Sequence, residues 1–439
     1  VRRIIATVVV TFWTIPNAAC PDPTLRESWD QVAKNHPALA ASRSREEARA
    51  MSVAATNASL WPRLDATGSW AYVSEVPELE LSLPLTLPDG TSPRIRRTLG
   101  DHDRAEAGLQ ASWTLFSGFS SLHAKRREQG SLEAVRWEGA QVRTDLATRL
   151  GLLDIALRRE AIELRLRRER VASREAAWTR WKVRADNGSA VRSQERLARA
   201  DLLRAVADTV GSHRVRDSLQ TEFVELVGKP WNPGPLDSAS VVPCLETVPG
   251  SPGESRQERA LKSQASAFDQ ARSATLSSRW PVVVASAGAR VGDPGPNTFG
   301  SGWTTWTVAG VQAQWNLFDG FERRAGAGRW HAEARALENE AARAGAVQRT
   351  RWTQGRSELD LLSDERAAVT AALEAAQEAR AATSAAVAAG SAIPDDLLEA
   401  ELRESEMRAR LDLLRLREAS LALRLRALSG EPLSFEGRP

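Results

Sequence analysis

The 439-residue chain holds two cysteines, two methionines, one tyrosine and five histidines. Cys20 and Cys244 cannot make a zinc site by themselves, and His36, His102, His123, His213 and His331 lie far apart with no H-E-x-x-H spacing. No metal, cofactor or catalytic constellation is therefore expected, and no nucleophile–base pairing or phosphate loop points to an enzyme. No run of about 18 apolar residues follows residue 20, which excludes an ordinary transmembrane helix. Lysine is scarce as well: of 59 basic residues only Lys34, Lys125, Lys182, Lys229 and Lys262 are lysine, which leaves 54 arginines. Against 56 acids the net charge is only +3. No basic run is free of interleaved acids, so nucleic acid is not an expected partner. On a mean hydropathy of -0.36 alone, the chain reads as soluble.

The opening, Val1-Arg2-Arg3, an apolar Ile4 to Ile15, then Pro16-Asn17-Ala18-Ala19-Cys20, has the three parts of an export signal over 1–19. A short buried helix is the plainer reading. Ala18-Ala19-Cys20 resembles a bacterial lipobox, with Asn17 where an aliphatic residue is expected. Lipidation of Cys20, simple cleavage near Ala19 and a Cys20–Cys244 disulfide in an oxidising compartment all stay open.

The remainder is duplicated. Trp113-Thr114-Leu115-Phe116-Ser117-Gly118-Phe119 recurs as Trp315-Asn316-Leu317-Phe318-Asp319-Gly320-Phe321, an offset of 202. Gly188-Ser189-Ala190 and Gly390-Ser391-Ala392, Gly228 and Gly430, and Pro230 and Pro432 repeat at the same offset. Trp61-Pro62 and Trp280-Pro281 are 219 apart, so a length change lies between these anchors. The expected organisation is a first repeat over 20–230, a proline-rich segment over 231–253, a second repeat over 254–432 and a tail over 433–439.

Each repeat reads as helix, strand, long loop, strand, long helix, turn, long helix. The opening helices are expected from about Leu25 to Ser59 and from about Glu254 to Ser277. Ser120 to about Asp186 is free of proline, and a helix of that length is a rod of roughly 100 Å. Leu411, Leu414, Leu421, Leu425 and Leu428 form one stripe, interrupted by Glu418, and Leu413, Leu416 and Leu423 form a second. Two stripes suit a helix packed between two neighbours.

The strands alternate. Leu64, Ala66, Gly68, Trp70 and Tyr72 share one face, as do Ala105, Ala107, Leu109, Ala111, Trp113 and Leu115, and Ala309, Val311, Ala313, Trp315 and Leu317. The stretch from Trp280 to Arg290 alternates poorly. Trp61, Trp113, Trp280 and Trp315 sit near the helix-side ends of the strands, and Trp70 and Trp303 toward the other ends. The nine residues from Trp61 to Trp70 make about 30 Å of strand. Tilted, that covers about 23 Å, close to the apolar band of an outer-membrane barrel. Four strands cannot close a barrel, so several copies must share one.

In the order and duplication of these motifs the chain resembles the TolC-like family of outer-membrane efflux proteins. The resemblance rests on the two strand-to-helix junctions, the Gly-Ser turns, the endings Leu226-Val227-Gly228 and Leu428-Ser429-Gly430, and Asn35-His36-Pro37-Ala38-Leu39. It implies a mainly α fold with a small β part: long antiparallel α-hairpins forming an α-barrel, and four strands contributed to a trimeric 12-stranded β-barrel. It also implies a passive exit duct for small molecules or polypeptides, working with a periplasmic adaptor and an inner-membrane pump. By the resemblance, Arg184, Gly188, Ser189, Ala190, Gly390, Ser391, Ala392 and Ile393 would touch the adaptor, and Asp396 and Glu399 would form an acidic ring at the periplasmic aperture. Helix capping is the competing role for the acids after Pro394, and Asp395 suits it best. The alternative to a channel is a soluble coiled-coil scaffold, which leaves the alternating strands and tryptophan placement unexplained.

Overall fold

The computed structural model describes residues 23–82, 94–98, 102–232, 248–293, 295–296, 302–431, 433 and 435. The export signal over 1–19, Cys20, Cys244 and most of the proline-rich segment lie outside the described residues. Among the described residues the order is α1 (Pro23–Asn35), α2 (Pro37–Ala58), β1 (Arg63–Tyr72), β2 (Glu78–Ser82), β3 (Arg94–Thr98), β4 (Asp103–Phe116), α3 (Ser120–Asp186) and α4 (Arg192–Val227). Then come α5 (Arg256–Ser277), β5 (Val282–Asp293), β6 (Thr304–Gln314), α6 (Glu322–Ala388) and α7 (Pro394–Ser429).

The duplication is carried into the helices residue for residue. α2 and α5 have 22 residues each, α3 and α6 have 67, and α4 and α7 have 36. The offset of 219 that relates α2 to α5 falls to 202 at α3 and α6. The difference is taken up between β1 and β4, where β2 and β3 pair as an antiparallel hairpin that the sequence reading did not anticipate.

The first opening helix departs from expectation. It is two helices, broken at His36, because Pro37 has no N–H to continue the ladder and restricts the residue before it. Pro37 instead starts α2, and the Nδ1 of His36 accepts from the Ala38 N–H at 3.2 Å, a local cap. The helix ends follow local rules too. α4 and α7 stop at Gly228 and Gly430, whose φ of 80° and 78° are left-handed.

The chain forms two compact units that cut across the repeats. One comprises Arg45–Arg136 and Ala260–Glu340; the other takes the chain up to Ser44, Trp137–Arg259, and the chain from Ala341 onward. In the first unit the sheet order is β1-β4-β5-β6, all antiparallel. There α5 lies between α3 and α6. His123 and Gln270 hydrogen-bond at 2.9 Å on one side, and the Phe268 and Trp330 ring centroids are 5.4 Å apart on the other. The approach is close because the facing residues are small. Ala260 and Ala267, like Ala327 and Ala334, are buried at heptad spacing. A Cβ on Gly130 would lie 3.2 Å from the Ala267 methyl.

In the second unit α7 lies between α3 and α6, as its two stripes require. Leu411, Leu414, Leu421 and Leu425 pack with Trp352, Leu362 and Val369 of α6. Leu416 and Leu423 join Leu146, Leu150, Leu153 and Leu157 of α3. Arg410–Glu365 and Arg417–Glu358 tie α7 to α6, and Arg170–Glu406 ties it to α3. Such exposed pairs contribute about 0–1 kcal/mol each, so the leucine stripes hold the helices and the arginines choose among registers. Two segments expected to lie outside the repeats pack in the core. Trp231 is buried and donates its Nε1–H to Asp154 at 2.8 Å, and Phe435 packs edge-on against buried Trp29.

Glu418 interrupts the first stripe while buried, with one carboxylate oxygen on Arg366 at 2.9 Å. Burial among leucines raises its carboxyl above the usual range, and the Arg366 charge only partly opposes this. A raised folded pKa means that folding stability from this group is full below about 4.5 and declines as pH rises through the folded value. Glu418→Met is therefore expected to raise the thermal unfolding midpoint at pH 8, by an amount corresponding to about 1–2 kcal/mol, and much less at pH 4. Circular dichroism melts at both pH values check this; a lower midpoint at pH 8 would contradict it.

Candidate functional site

The register of the sheet builds a continuous surface from both repeats. Leu64 pairs with Ala111, Ala111 with Ala287, and Ala287 with Ala309. The neighbouring rows on the same face are Ala66, Leu109, Ala289 and Thr307, and Gly68, Ala107, Val291 and Thr305. From the row of Trp113, Ala285 and Val311 to the row of Gly68 this face carries no charged residue. The opposite face carries Arg63, Asp65, Glu106, Gln110, Arg290 and Gln312. There Arg290 bonds Glu106 at 2.9 Å and Gln110 at 3.3 Å across β4 and β5. The uncharged face is not covered by the chain: Leu64, Leu109 and Val311 are 54–69% exposed.

The tryptophans expected as girdles are exposed too. Trp61, Trp70, Trp113, Trp280, Trp303 and Trp315 are 46–75% accessible. Two are oriented by their ring N–H groups, which cap neighbouring strand entrances. Trp113 donates to the Leu60 carbonyl at 3.0 Å and Trp315 to the Arg279 carbonyl at 2.9 Å. β6 ends at Gln314, so Trp315 and Leu317 lie beyond the strand in which they were expected. That indole bond to Arg279 holds Trp315 at the strand end.

The strand-to-helix junctions explain the repeated Gly-Phe pair. Gly118 and Phe119 have φ of 62° and 70°, and Gly320 and Phe321 have 61° and 72°. Two successive left-handed residues are costly when the second is not glycine, about 1–2 kcal/mol. The rings compensate: Phe119 stands edge-on to Phe116 at 5.8 Å, and Phe321 to Phe318 at 6.0 Å. In the second repeat Asp319 caps the turn, accepting from the Phe321 and Arg323 N–H groups at 3.2 Å each and from the Arg323 guanidinium. Partial burial acts to raise the Asp319 carboxyl, but these hydrogen bonds outweigh it and hold the group below the usual range.

The two helix turns have the same geometry. Gly188 and Gly390 are left-handed, with φ of 71° and 75°. The Arg184 carbonyl accepts both the Ser189 N–H at 2.9 Å and its hydroxyl at 3.0 Å, and the Ala386 carbonyl accepts the same pair from Ser391 at the same distances. Serine after glycine thus closes the helix carbonyls that the glycine exposes. Arg184, Gly188, Ser189, Gly390, Ser391 and Ile393 are exposed and Ala190 and Ala392 partly so; Val191, at 68% exposed, joins them.

The acids after Pro394 divide their roles differently from the sequence reading. Asp396, not Asp395, is the cap: its carboxylate accepts from the Ile393 N–H at 3.3 Å. Asp395 instead pairs with Arg180 of α3 at 2.5 Å. The reason is position, since the third helical residue reaches back over the turn while the second points sideways to the neighbouring helix. Glu399 pairs with Arg403 one turn on at 2.6 Å. Asp396 and Glu399 are both exposed.

No protein-family sequence model matches the chain, and no curated protein matches it in sequence. Solved structures do match in shape. The outer membrane protein VceC of Vibrio cholerae superposes with a TM-score of 0.70 at 16% identity, over 93% of this chain and 97% of that one. The open state of the Neisseria gonorrhoeae MtrE outer membrane channel gives 0.70 at 15% identity, over 95% and 91%. A membrane protein from Pseudomonas aeruginosa gives 0.69 at 16% identity, over 98% and 99%. The chain has the TolC-like outer-membrane channel fold. The expected fold class, with its long helical hairpins, small β part and internal repeat, is the one found. Within the TolC-like fold the sequence reading located the duplicated junctions and the glycine turns. It did not see that β4 pairs with β5, which joins the repeats into one sheet, nor the left-handed phenylalanines. The shared Gly-Phe dipeptide was the available signal for the latter.

Proposed function

We propose that the chain is the outer-membrane exit duct of an export system, acting as a homotrimer. The uncharged, exposed face that runs through all four strands carries this reading. Exposed apolar surface of that extent is stable only against lipid or another protein. Tryptophans at both strand ends suit the two interfaces of a bilayer. Among the described residues no helix is long and apolar enough to cross a membrane, so the strands are the candidate for spanning it. A soluble coiled-coil scaffold gives this face no partner.

The trimer follows from the sheet's edges. Among the described residues β1 pairs only with β4 within the sheet and β6 only with β5, which leaves an edge at each. Lipid tolerates no open edge, and three copies close a twelve-stranded barrel by placing β6 of one against β1 of the next. The junctions support the same arrangement. A Cβ on Gly118 would lie 2.5 Å from the Ser277 carbonyl oxygen and 2.7 Å from the Trp280 Cβ, whereas one on Gly320 meets nothing. In a closed ring the corresponding partner of Gly320 is the α2–β1 corner at Ala58 and Trp61 of the adjacent copy.

In this reading the turns at Arg184, Gly188, Ser189 and Ala190 and at Gly390, Ser391, Ala392 and Ile393 meet a periplasmic adaptor, which joins the duct to an inner-membrane pump. Exposed Val191 and Ile393 supply apolar contact there. Asp396 and Glu399 line the aperture and favour cations, three copies of each focusing a negative potential. Small molecules or polypeptides then pass without chemistry in the duct.

Membrane insertion is tested by a pair of variants. Val311→Arg places a charge on the uncharged face and is expected to abolish recovery in the outer-membrane fraction, at a cost of about 2–4 kcal/mol near the bilayer centre. Gln312→Arg, one residue along, faces the other way and is expected to be recovered like the parent. Equal recovery of both variants would refute a lipid-facing role. Gly320→Ala is expected to lower the temperature at which the oligomer dissociates on gels about as far as Gly118→Ala does. A dissociation temperature unchanged by Gly320→Ala alone would remove the adjacent copy from that junction. Asp396→Asn with Glu399→Gln is expected to weaken cation selectivity in single-channel recordings, and unchanged selectivity would remove both residues from the aperture.

A further inference from the structure

A groove of about 440 Å³ lies at the second junction, between the end of α5 and the start of α6. Arg272, Arg279, Arg323, Arg324 and His331 line it, with Leu276 and Phe321 as its apolar wall. Asp319 is the one carboxylate in the lining, and its charge is taken by Arg323. Arg323 is further anchored by its bond to the Ser278 carbonyl at 3.2 Å. The Arg279 guanidinium lies over the Trp280 ring, 5.5 Å from its centroid, and pairs with no acid among the described residues. Among the described residues Arg272 and Arg324 have neither an ion pair nor a hydrogen bond. Three arginines therefore face one groove with no counter-charge.

The fold does not require this cluster. At the equivalent places of the first repeat, Arg272, Arg279, Arg323, Arg324 and His331 are replaced by Val53, Leu60, Ser121, Leu122 and Gln129. The first junction adopts the same backbone with none of those charges. At the places of lining Ala327 and Gly328 the first repeat carries Lys125 and Arg126 instead, so the two junctions arrange their charges differently and the four arginines around this groove are not imposed by the fold.

We propose that this groove binds the phosphate of an anionic phospholipid headgroup. Guanidinium groups match phosphate oxygens in pairs of parallel hydrogen bonds, and they do so best where no carboxylate competes. Leu276 and Phe321 offer apolar surface to the start of the acyl chains. Trp280 and Trp315, bracketing the groove through Arg279, are the residue type that sits at the headgroup level of a bilayer. An anion in solution would use the arginines but not the apolar wall. The inference rests on the outer-membrane reading above, and it adds a lipid site on one side of each subunit.

The test uses the full-length protein, purified in detergent and stripped of lipid. Native mass spectrometry follows the binding of phosphatidylglycerol and of diacylglycerol with the same acyl chains. Phosphatidylglycerol is expected to bind roughly tenfold more tightly, the scale of a single charge-assisted hydrogen bond, and Arg272→Gln with Arg324→Gln is expected to erase the preference. Arg126→Gln with Arg127→Gln, a basic pair near the first junction, is expected to leave it unchanged. Equal binding of the two lipids, or a preference that survives in the Arg272/Arg324 variant, would overturn the proposal. Displacement of phosphatidylglycerol by millimolar inorganic phosphate would also overturn it, by showing an anion site that does not use the lipid. Fractionation separates the two readings: a chain absent from the outer membrane refutes the duct, whereas an outer-membrane chain without the lipid preference refutes only the groove.

Discussion

The pairing of β4 with β5 is the interaction on which the rest of this structure depends. Among the described residues it is the one strand pair that joins the two repeats, and its register sets the faces of the sheet. Leu109 opposite Ala289 keeps Leu64, Leu109, Ala289 and Val311 on one side and Glu106, Gln110 and Arg290 on the other. A slip of one residue would carry Arg290 among the alanines and break the uncharged face. The Arg290–Glu106 bond across the pair opposes that slip on the polar side.

The helices meet a different constraint, that of packing one rod between two others. α5 does it with small residues, Ala260 and Ala267, which let α3 and α6 approach closely. α7 does it with two leucine stripes, one to each neighbour. Alanine and leucine do most of this packing, with Phe268, Trp330 and Trp352 as aromatic members. The abundant arginines are then free for other work: many pair with acids along the helices, and Arg272, Arg279 and Arg324 share one groove at the second junction without an acid partner among the described residues.

Much of this was legible in the residues because it is governed locally. The proline-free run from Ser120, the Gly-Ser turns and the terminal Gly228 and Gly430 mark helix ends through backbone rules that act within a turn of the chain. Strand β5 was less legible, since Val282, Val283 and Val284 are apolar on both faces and alternation cannot show which side is which. Among the described residues the hairpin of β2 and β3 has no counterpart in the second repeat, so duplication gave no hint of it. Trp231 and Phe435 looked like linker and tail because their partners, Asp154 and Trp29, lie far away in sequence.

Sequence alone determined the duplication, the extent of the long helix from Ser120 and the two stripes of α7, because periodicity, proline and glycine act through near neighbours. Tertiary structure decided which strands of the two repeats pair and so that the uncharged rows form one face. It decided that Asp396 caps α7 while Asp395 reaches Arg180. It also gathered Arg272, Arg279 and Arg324, separated by up to 52 positions, into one groove. These depend on contacts between residues far apart in the chain, which no local pattern encodes.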